Sequence, residues 1–374
     1  MFKIGLTTLF LSANIYIFIR GWQAMPNNST LRFLYSGIFL LILVSVGLSF
    51  CLIGNHIAKI RCLSMYIRGY WEFLLVFFLL AAFLADTLRA FNYFFPINPV
   101  WIINNYTQLK LNFFLAVLSI SIIISIVGFR QFSKLHTVDL NLLINKDESR
   151  IEDINVVAAS DMHIGDYIRK ERLTYWIAEI NRLNPDIVLF GGDIFDRSLN
   201  SSDSQDIINE LRKLKSKYGV FAVLGNQEYY SSAKRSIEYL EQAGITPLRD
   251  QTVIVDNRMV IIGRDDASNN KRKKIDELIK GVDNSLPVIM MDHQPYDLVE
   301  AVRNNIDLYL SGHTHNGQIF PGNIFAKLEY DLVYGHRRTG NSHFYVSSGL
   351  GINYIPIRLG TQSEIVRISM KGNI

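Results

Sequence analysis

The feature that most constrains this 374-residue chain is the place where its carboxylates are missing. Residues 1–130 hold nine Lys/Arg but two acids, Glu72 and Asp86, whereas residues 131–374 hold 29 Lys/Arg and 32 acids. The first part is net +7 and the second net −3, which sums to the +4 of the whole. Ionised carboxylates are costly in hydrocarbon. The first third therefore reads as membrane-embedded, and the remainder as a polar globular domain. A net charge of +4 gives no footing to a nucleic-acid partner. Two Cys, Cys51 and Cys62, exclude a disulfide framework and a Cys-rich zinc domain.

A helix needs roughly 20 apolar residues to cross a bilayer. Four runs qualify within 1–130, at about 4–19, 33–53, 71–91 and 111–129, and the sequence predicts four transmembrane helices. The first run is short and carries Asn14, so a secretory signal with Lys3 as its basic end is a second reading. Against it, no small-x-small cleavage site comes after the run, and Arg20-Gly21-Trp22 reads as an interfacial flank. Near the helix ends, Lys3, Lys59, Arg61, Arg68, Arg130 and Lys134 gather on one side, and Arg20, Arg32, Arg89 and Lys110 on the other. Six against four places both termini, and the polar domain, in the cytoplasm of a multi-pass protein of the cell membrane. Asp86 and Arg89 share a helix face. They are either a functional intramembrane pair or, more simply, an ion pair at a helix end.

Residues 131–150 read as a linker with one short strand near 137–144, and a domain at 151–374 comes next. There, short apolar runs at 154–159, 187–190, 220–224, 288–291 and 306–310 alternate with helical-period stretches at 171–183, 205–217 and 233–243. That alternation specifies an α/β domain. The runs 253–255 and 260–262, split by Asp256-Asn257-Arg258-Met259, predict a hairpin. The basic run 271–274 reads as a solvated helix start.

The chemistry sits at the strand ends. The five ends read Ser160-Asp161-Met162-His163, Gly191-Gly192-Asp193, Gly225-Asn226-Gln227-Glu228, Asp292-His293 and Ser311-Gly312-His313-Thr314-His315. Open α/β sheets bind ligands beyond the carboxyl ends of their strands. Asp161, His163, Asp193, Asn226, His293, His313 and His315 would therefore meet in one crevice. Imidazole and carboxylate together suit Mn first, with Fe or Zn as alternatives. Seven ligands exceed one ion's shell and suit two divalent transition metals about 3.5–4 Å apart. The glycines before Asp193, Asn226 and His313 would let the backbone turn off each strand.

In this order the motifs Asp161-Met162-His163, Gly192-Asp193, Gly225-Asn226, His293 and Gly312-His313-Thr314-His315 resemble the calcineurin-like metallophosphoesterases over roughly 155–370. Residues 225–230 and 312–318 are similar to the bacterial membrane-associated branch that includes the YkuE-type enzymes. The resemblance implies a four-layer αββα sandwich with two central mixed sheets. It implies that Asp161, His163 and His315 bind one metal, that Asn226, His293 and His313 bind the other, and that Asp193 bridges them. A hydroxide held between the ions would attack phosphorus in line, and Asn226 would touch the phosphate.

One position departs from the family pattern. The family has Gly-Asn-His-Glu/Asp, with the His as general acid, and this chain has Gln227 there. Gln donates a hydrogen bond but gives up no proton. Either the leaving group needs no protonation, as for a phosphate or pyrophosphate, or another acid such as Glu228, His336 or His343 substitutes, or the site is weak or altered. Around the site, Tyr229 and Tyr230 line the pocket or simply pack. Arg264, Asp265 and Asp266 support the site or serve structure. Asp196 backs a ligand His or caps a turn, and Asn316 and Gln318 extend the His loop.

The leading expectation is a membrane-anchored metal-dependent phosphoesterase whose partners are the bilayer and a phosphate-containing substrate, lipid-linked because a tether confines the site to the bilayer surface. No obligate protein partner is evident. The alternative is a metal-loaded phosphate-binding or sensory module, motivated by Gln227. A transporter with a regulatory domain rests only on the spans and Asp86.

Overall fold

A backbone in hydrocarbon must satisfy its own hydrogen bonds, and a helix does so within one segment. The computed structural model, which describes residues 2–51, 58–146, 154–199 and 201–372, has helices α1 (Phe2–Ala24), α2 (Ser29–Cys51), α3 (Ala58–Phe94), the short α4 (Val100–Asn104) and α5 (Tyr106–Ser133) across its first part. Among the described residues three helices are long and apolar enough to cross a membrane: α2, residues 60–94 of α3, and α5. The four expected spans thus become three candidates. The remaining helix, α1, is 23 residues long, but Thr7, Thr8, Ser12 and Asn14 dilute its hydropathy. It still packs: Trp71 Nε1 donates to Asn14 Oδ1 at 2.9 Å, and Asn14 Nδ2 donates to Phe10 O. Residues 52–53 of the second expected run lie outside the described residues.

Helix α3 spans 37 residues, about 55 Å at 1.5 Å per residue. The run expected at 71–91 is its apolar part. Ile17, Phe39, Val46, Trp71, Leu75 and Phe78 form the interior of this first unit. Asp86 pairs with Arg89 at 3.1 Å, as their spacing predicts, and also with Arg20 and the Tyr16 hydroxyl of α1. The acid is thus held by structural partners.

Contacts divide the chain into this unit, residues 1–128 with 354–356, and a second, residues 129–353 with 357–374. The second begins with β1 (Leu135–Ile144), then β2 (Ile154–Ala159), α6 (Lys170–Arg182), β3 (Ile187–Phe190), α7 (Ser201–Leu211), β4 (Val220–Ala222), α8 (Asn226–Ser231), α9 (Ala233–Gln242) and β5 (Thr246–Pro247). Next come β6 (Gln251–Val255), β7 (Met259–Gly263), α10 (Ile275–Leu278), β8 (Val288–Met291), α11 (Leu298–Arg303), β9 (Leu308–Ser311), α12 (Gly322–Glu329), β10 (Gly335–Thr339), β11 (Ser342–Val346) and β12 (Ser363–Gly372). One six-stranded sheet has the order β1-β12-β2-β3-β4-β5 and the other β10-β11-β9-β8-β7-β6; both are mixed.

Period-two alternation makes the layers. In β2, Val156 and Ala158 point into a core shared with Ile261, Ile289, Met291, Leu308 and Leu310 of the other sheet. Val157 and Ala159 point oppositely, against Trp176, Ile177 and Ile180 of α6 and Leu211 of α7. Beyond the second sheet, Val260, Val288 and Met290 meet Ile275, Leu298 and Ala301. The order is helices, sheet, sheet, helices. Strands buried on both faces explain the uninterrupted apolar runs. The predicted hairpin is β6–β7, antiparallel.

The segment expected as a linker carries the strand expected within it, longer than the sequence suggests and paired into a sheet. Within 131–150, residues 135–144 are a ten-residue strand paired in parallel with β12 from Leu135↔Ser363 to Ile144↔Gly372. Its alternation buries Leu142 and Ile144, which join the intersheet core. Residues 147–150 of the expected linker and 151–153 of the expected domain start lie outside the described residues.

Candidate metal centre

Each candidate ligand sits two to four residues beyond a strand's carboxyl end: Asp161 and His163 after β2, Asp193 after β3, Asn226 after β4, His293 after β8, His313 and His315 after β9. Three of these strands belong to one sheet and two to the other, so the crevice is built across both sheets. Backbone hydrogen bonds lock the loops: Asp161 N–H donates to Gly192 O at 2.9 Å, His163 N–H to Asp193 O at 3.0 Å, and Gly312 N–H to His293 O at 3.0 Å.

Asp161, His163, Asp193, His313 and His315 all have left-handed backbone, with φ between 48° and 68°. Such conformations at non-glycine residues cost of order 1–3 kcal/mol each and concentrate where structure is held for function. The glycines act differently from expectation. Of the three, Gly192 has positive φ, 91°. Gly225 and Gly312 are needed for close approach, because a Cβ on Gly225 would lie 2.2 Å from Asp193 Oδ1, and one on Gly312 1.8 Å from Ser160 Oγ and 2.2 Å from Asp161 Oδ2. Gly312→Ala is therefore expected to destabilise by about 1–3 kcal/mol and to displace Asp161. A thermal melt checks it, and an unchanged melting temperature would refute it.

The donors form two sets, Asp161/His163/His315 and Asp193/His293/His313, each with its ligand atoms within 4.8 Å of one another. His163 Nε2 and His315 Nε2 face each other at 3.0 Å, and His315 Nε2 is 3.5 Å from Asp161 Oδ1. Asp193 Oδ2 lies between the sets, 3.8 Å from His163 Nε2 and 3.4 Å from His293 Nε2. Asn226 Oδ1 is 3.3 Å from His293 Nε2. Donors about 2.1 Å from a shared ion sit about 3.0–3.4 Å apart; the 3.0, 3.3 and 3.4 Å pairs match this, and the 3.5 and 3.8 Å pairs would draw in slightly around a cation. Two imidazole nitrogens that face each other over two carboxylates are the donor chemistry such an ion requires. His293 Nδ1 lies 2.8 Å from Gly191 O, which makes it the N–H and leaves Nε2 as the lone-pair nitrogen.

The charge states of Asp193, His313 and His315 agree with this, whereas His293 keeps a second proton, on Nε2, that a cation would have to displace. Burial alone would raise the Asp193 carboxyl, but His293, His163 and the Gln227 N–H outweigh it and hold the group well below the usual carboxylate range. Burial would lower His293, and Asp193 outweighs that, so His293 is raised. Burial lowers His313 and His315, helped by His293 and by His163 with Arg358 respectively, and keeps them neutral as ligands must be.

The surrounding candidates separate. Glu228 is fully buried and clamps three backbone N–H groups, of Asp193, Gly225 and Phe195, at 3.1, 2.7 and 2.8 Å. Burial and Asp193 push its carboxyl up to about 8, and both of its oxygens are engaged in holding the loop. His336 and His343 pair with each other at 3.0 Å, and His343 sits opposite Leu308, at the far end of β9 from the ligands. Neither can act as the substitute acid. Asp196 Oδ1 accepts Ser198 N–H at 2.8 Å and caps its own turn. Tyr229 donates to Asp265 Oδ1 at 2.6 Å, and Arg249 pairs with Asp265 at 2.8 Å. Arg264 is buried against Asp292 and Asp297, behind the site. Tyr230 is exposed beneath the Arg197 guanidinium. Asp266 accepts from Gln294, and Gln318 holds the chain at Asn353 and Ile357. Asn226 and Gln227 open α8, and the Gln227 N–H donates to Asp193 Oδ1 at 2.8 Å. Gln227 is buried, and its Oε1 has no hydrogen-bond partner among the described residues.

Sequence reasoning missed Arg358. It is fully buried and donates to the carbonyls of Gly349, Gly351 and Gln362, with Nη2 3.4 Å from His315 Nδ1. Sequence reasoning gives no role to Asp292, which Arg264, Arg272 and Tyr309 hold beside His293. The Glu228 clamp had a signal: an acid three residues after Gly225 is capping-box spacing.

Residues 154–317 match the model of the calcineurin-like phosphoesterase family. A metallophosphoesterase of Aquifex aeolicus is 34% identical over 227 residues, covering 59% of this chain and 86% of the relative. The metallophosphoesterase YkuE of Bacillus subtilis is 29% identical over 255 residues, 63% of this chain and 84% of that one. A transmembrane protein with metallophosphoesterase domain from Danio rerio is 29% identical over 250 residues, 63% of this chain and 57% of that one. The chain belongs to the calcineurin-like metallophosphoesterase family. The chain spans 60% of the length of two metallophosphoesterases of Helicobacter pylori that it matches. Its apolar N-terminal helices and its transmembrane relatives together indicate a membrane protein.

Proposed function

We propose that the protein is a membrane-anchored phosphoesterase that works with two divalent metals, Mn first among them, on a phosphate ester or pyrophosphate carried by a lipid. The observation that carries this reading is the pair of ligand sets with Asp193 Oδ2 between them. Asp161, His163 and His315 would hold one ion, His293, His313 and Asn226 the other, and Asp193 both. The ions would supply Lewis acidity toward phosphoryl oxygens and activation of water. The chain's own groups orient: Glu228 fixes the Asp193 loop, Gly191 O sets the His293 tautomer, and the Asn226 amide would contact a phosphate oxygen. The cytoplasmic placement of the catalytic domain belongs to the same proposal and requires α1 to cross the bilayer as a fourth span beside the three apolar helices. The test is turnover of bis(p-nitrophenyl) phosphate by detergent-purified, Mn-loaded protein. Metal-dependent turnover supports the reading. Its absence from protein with bound metal moves the weight to the phosphate-binding module that Gln227 motivates.

The lipid part of the reading has separate support. Helix α12 comes soon after the ligand loop and buries none of its residues; Phe320, Ile324, Phe325 and Leu328 are exposed on and beside it. Its next residue, Tyr330, stacks edge-on to the ligand His313 with ring centroids 5.9 Å apart. An apolar surface this close to the site suits an acyl or prenyl chain. Burying one such side chain is worth about 1.5–3 kcal/mol at most. Phe325→Ser with Leu328→Ser is thus expected to lower turnover of a long-chain phosphate ester about tenfold or more and to leave bis(p-nitrophenyl) phosphate unchanged. Equal loss on both substrates, or on neither, counts against the lipid assignment.

A further inference from the structure

The four basic residues that the sequence collects on one side of the membrane, Arg20, Arg32, Arg89 and Lys110, all line a single cavity of about 760 Å³ inside the helical unit. They come from the end of α1, the start of α2, the end of α3 and the start of α5, which is one end of the bundle. Small residues make the space: Gly21, Ala81, Ala82 and Ala85 face it. Much of the remaining lining is apolar, including Ile17, Phe78, Leu88, Phe113, Phe114 and Val117.

The charge in this cavity does not balance. Asp86 serves Arg20 and Arg89 together. Arg32 reaches the Asn27 amide oxygen, at 3.2 Å, and the Trp22 ring, and Lys110 lies over the Tyr106 ring. Among the described residues neither has a carboxylate partner, and Arg20 Nε and Arg32 Nε are buried without a hydrogen-bond partner. Four cations against one acid leave an excess of three positive charges beside an apolar wall. The only other acid in residues 1–130, Glu72, is taken by Arg68. Cationic groups grouped between membrane helices suit an anionic lipid head group, and the volume lies within the ordinary range for a ligand site, about 300–1,000 Å³.

We propose that this cavity is a binding site for an anionic phospholipid, its phosphate among Arg32, Lys110, Arg20 and Arg89 and the upper part of its chains against Phe78, Phe113 and Phe114. The site rests on the membrane reading alone and stands whether or not the metal centre hydrolyses anything. Full-length protein is purified from mixed micelles of phosphatidylglycerol and phosphatidylcholine, and retained lipid is counted by native mass spectrometry. Expected is at least tenfold enrichment of phosphatidylglycerol over the supplied ratio. Arg32→Ala with Lys110→Ala should abolish it, and Arg32→Lys with Lys110→Arg should keep most of it, which separates charge from folding. Equal retention of the two lipids overturns the proposal. So does enrichment that persists in the alanine variant. Displacement of phosphatidylglycerol by millimolar inorganic phosphate would put a soluble anion in the cavity and overturn the lipid assignment.

Discussion

Asp193→Asn is expected to strip bound metal and to lower turnover of bis(p-nitrophenyl) phosphate by more than about 100-fold. Loss of a group that merely orients a ligand already costs about 10–100-fold in metal affinity or activity, and Asp193 lies between both sets. Its Oδ2 is 3.4 Å from His293 Nε2 and 3.8 Å from His163 Nε2, while Oδ1 accepts the Gln227 N–H at 2.8 Å. Asparagine can keep that last hydrogen bond, and the Glu228 clamp on the Asp193 backbone is untouched. The substitution therefore removes the shared negative charge with little reason to unfold the loop. Metal content by elemental analysis and turnover are read on the same sample. A variant that keeps its metals and its rate would remove Asp193 from the centre and with it the two-metal reading.

The ligands were legible because each comes after an apolar run, and the runs at 154–159, 187–190 and 288–291 are buried on both faces, so those strands could be bounded from the sequence alone. Chain order then placed Asp161, Asp193 and His293 at carboxyl ends. What was illegible depends on distant partners. Residues 135–144 alternate as a strand should, but the segment that makes them part of a sheet lies 228 residues later, at Leu135↔Ser363, and nothing local announces that pairing. Arg358 reads as a surface residue until three carbonyls and His315 close around it. The glycines illustrate the same limit. Gly225 and Gly312 sit where the sequence predicts sharp turns, but their missing Cβ is required instead by Asp193 and by Ser160 and Asp161 across the crevice. In the first part, hydropathy found the helices but could not tell that Arg20 reaches Asp86, or that four dispersed cations share one cavity.

Gln227→His is expected to raise turnover of an alkyl phosphodiester by about 10²–10⁴-fold, the usual value of general acid catalysis, and to change bis(p-nitrophenyl) phosphate by less than about tenfold. The difference comes from the leaving group. Nitrophenolate departs as a stable anion, whereas an alkoxide needs a proton as its bond to phosphorus breaks. Gln227 can offer an N–H but no transferable proton, and its buried Oε1 finds no partner among the described residues. No candidate neighbour supplies the deficit: Glu228 is committed to three backbone N–H groups, and His336 and His343 lie at the far end of the sheet. The substitution leaves the Gln227 N–H bond to Asp193 available, because that bond belongs to the backbone. Paired rates on the two substrates for native and variant protein decide between readings. A selective gain on the alkyl ester means that the native site is built for a leaving group such as phosphate, which departs unprotonated, or is damped as a binding module. Fast native turnover of the alkyl ester would show that protonation has another source, and Gln227 would then say nothing about the natural leaving group.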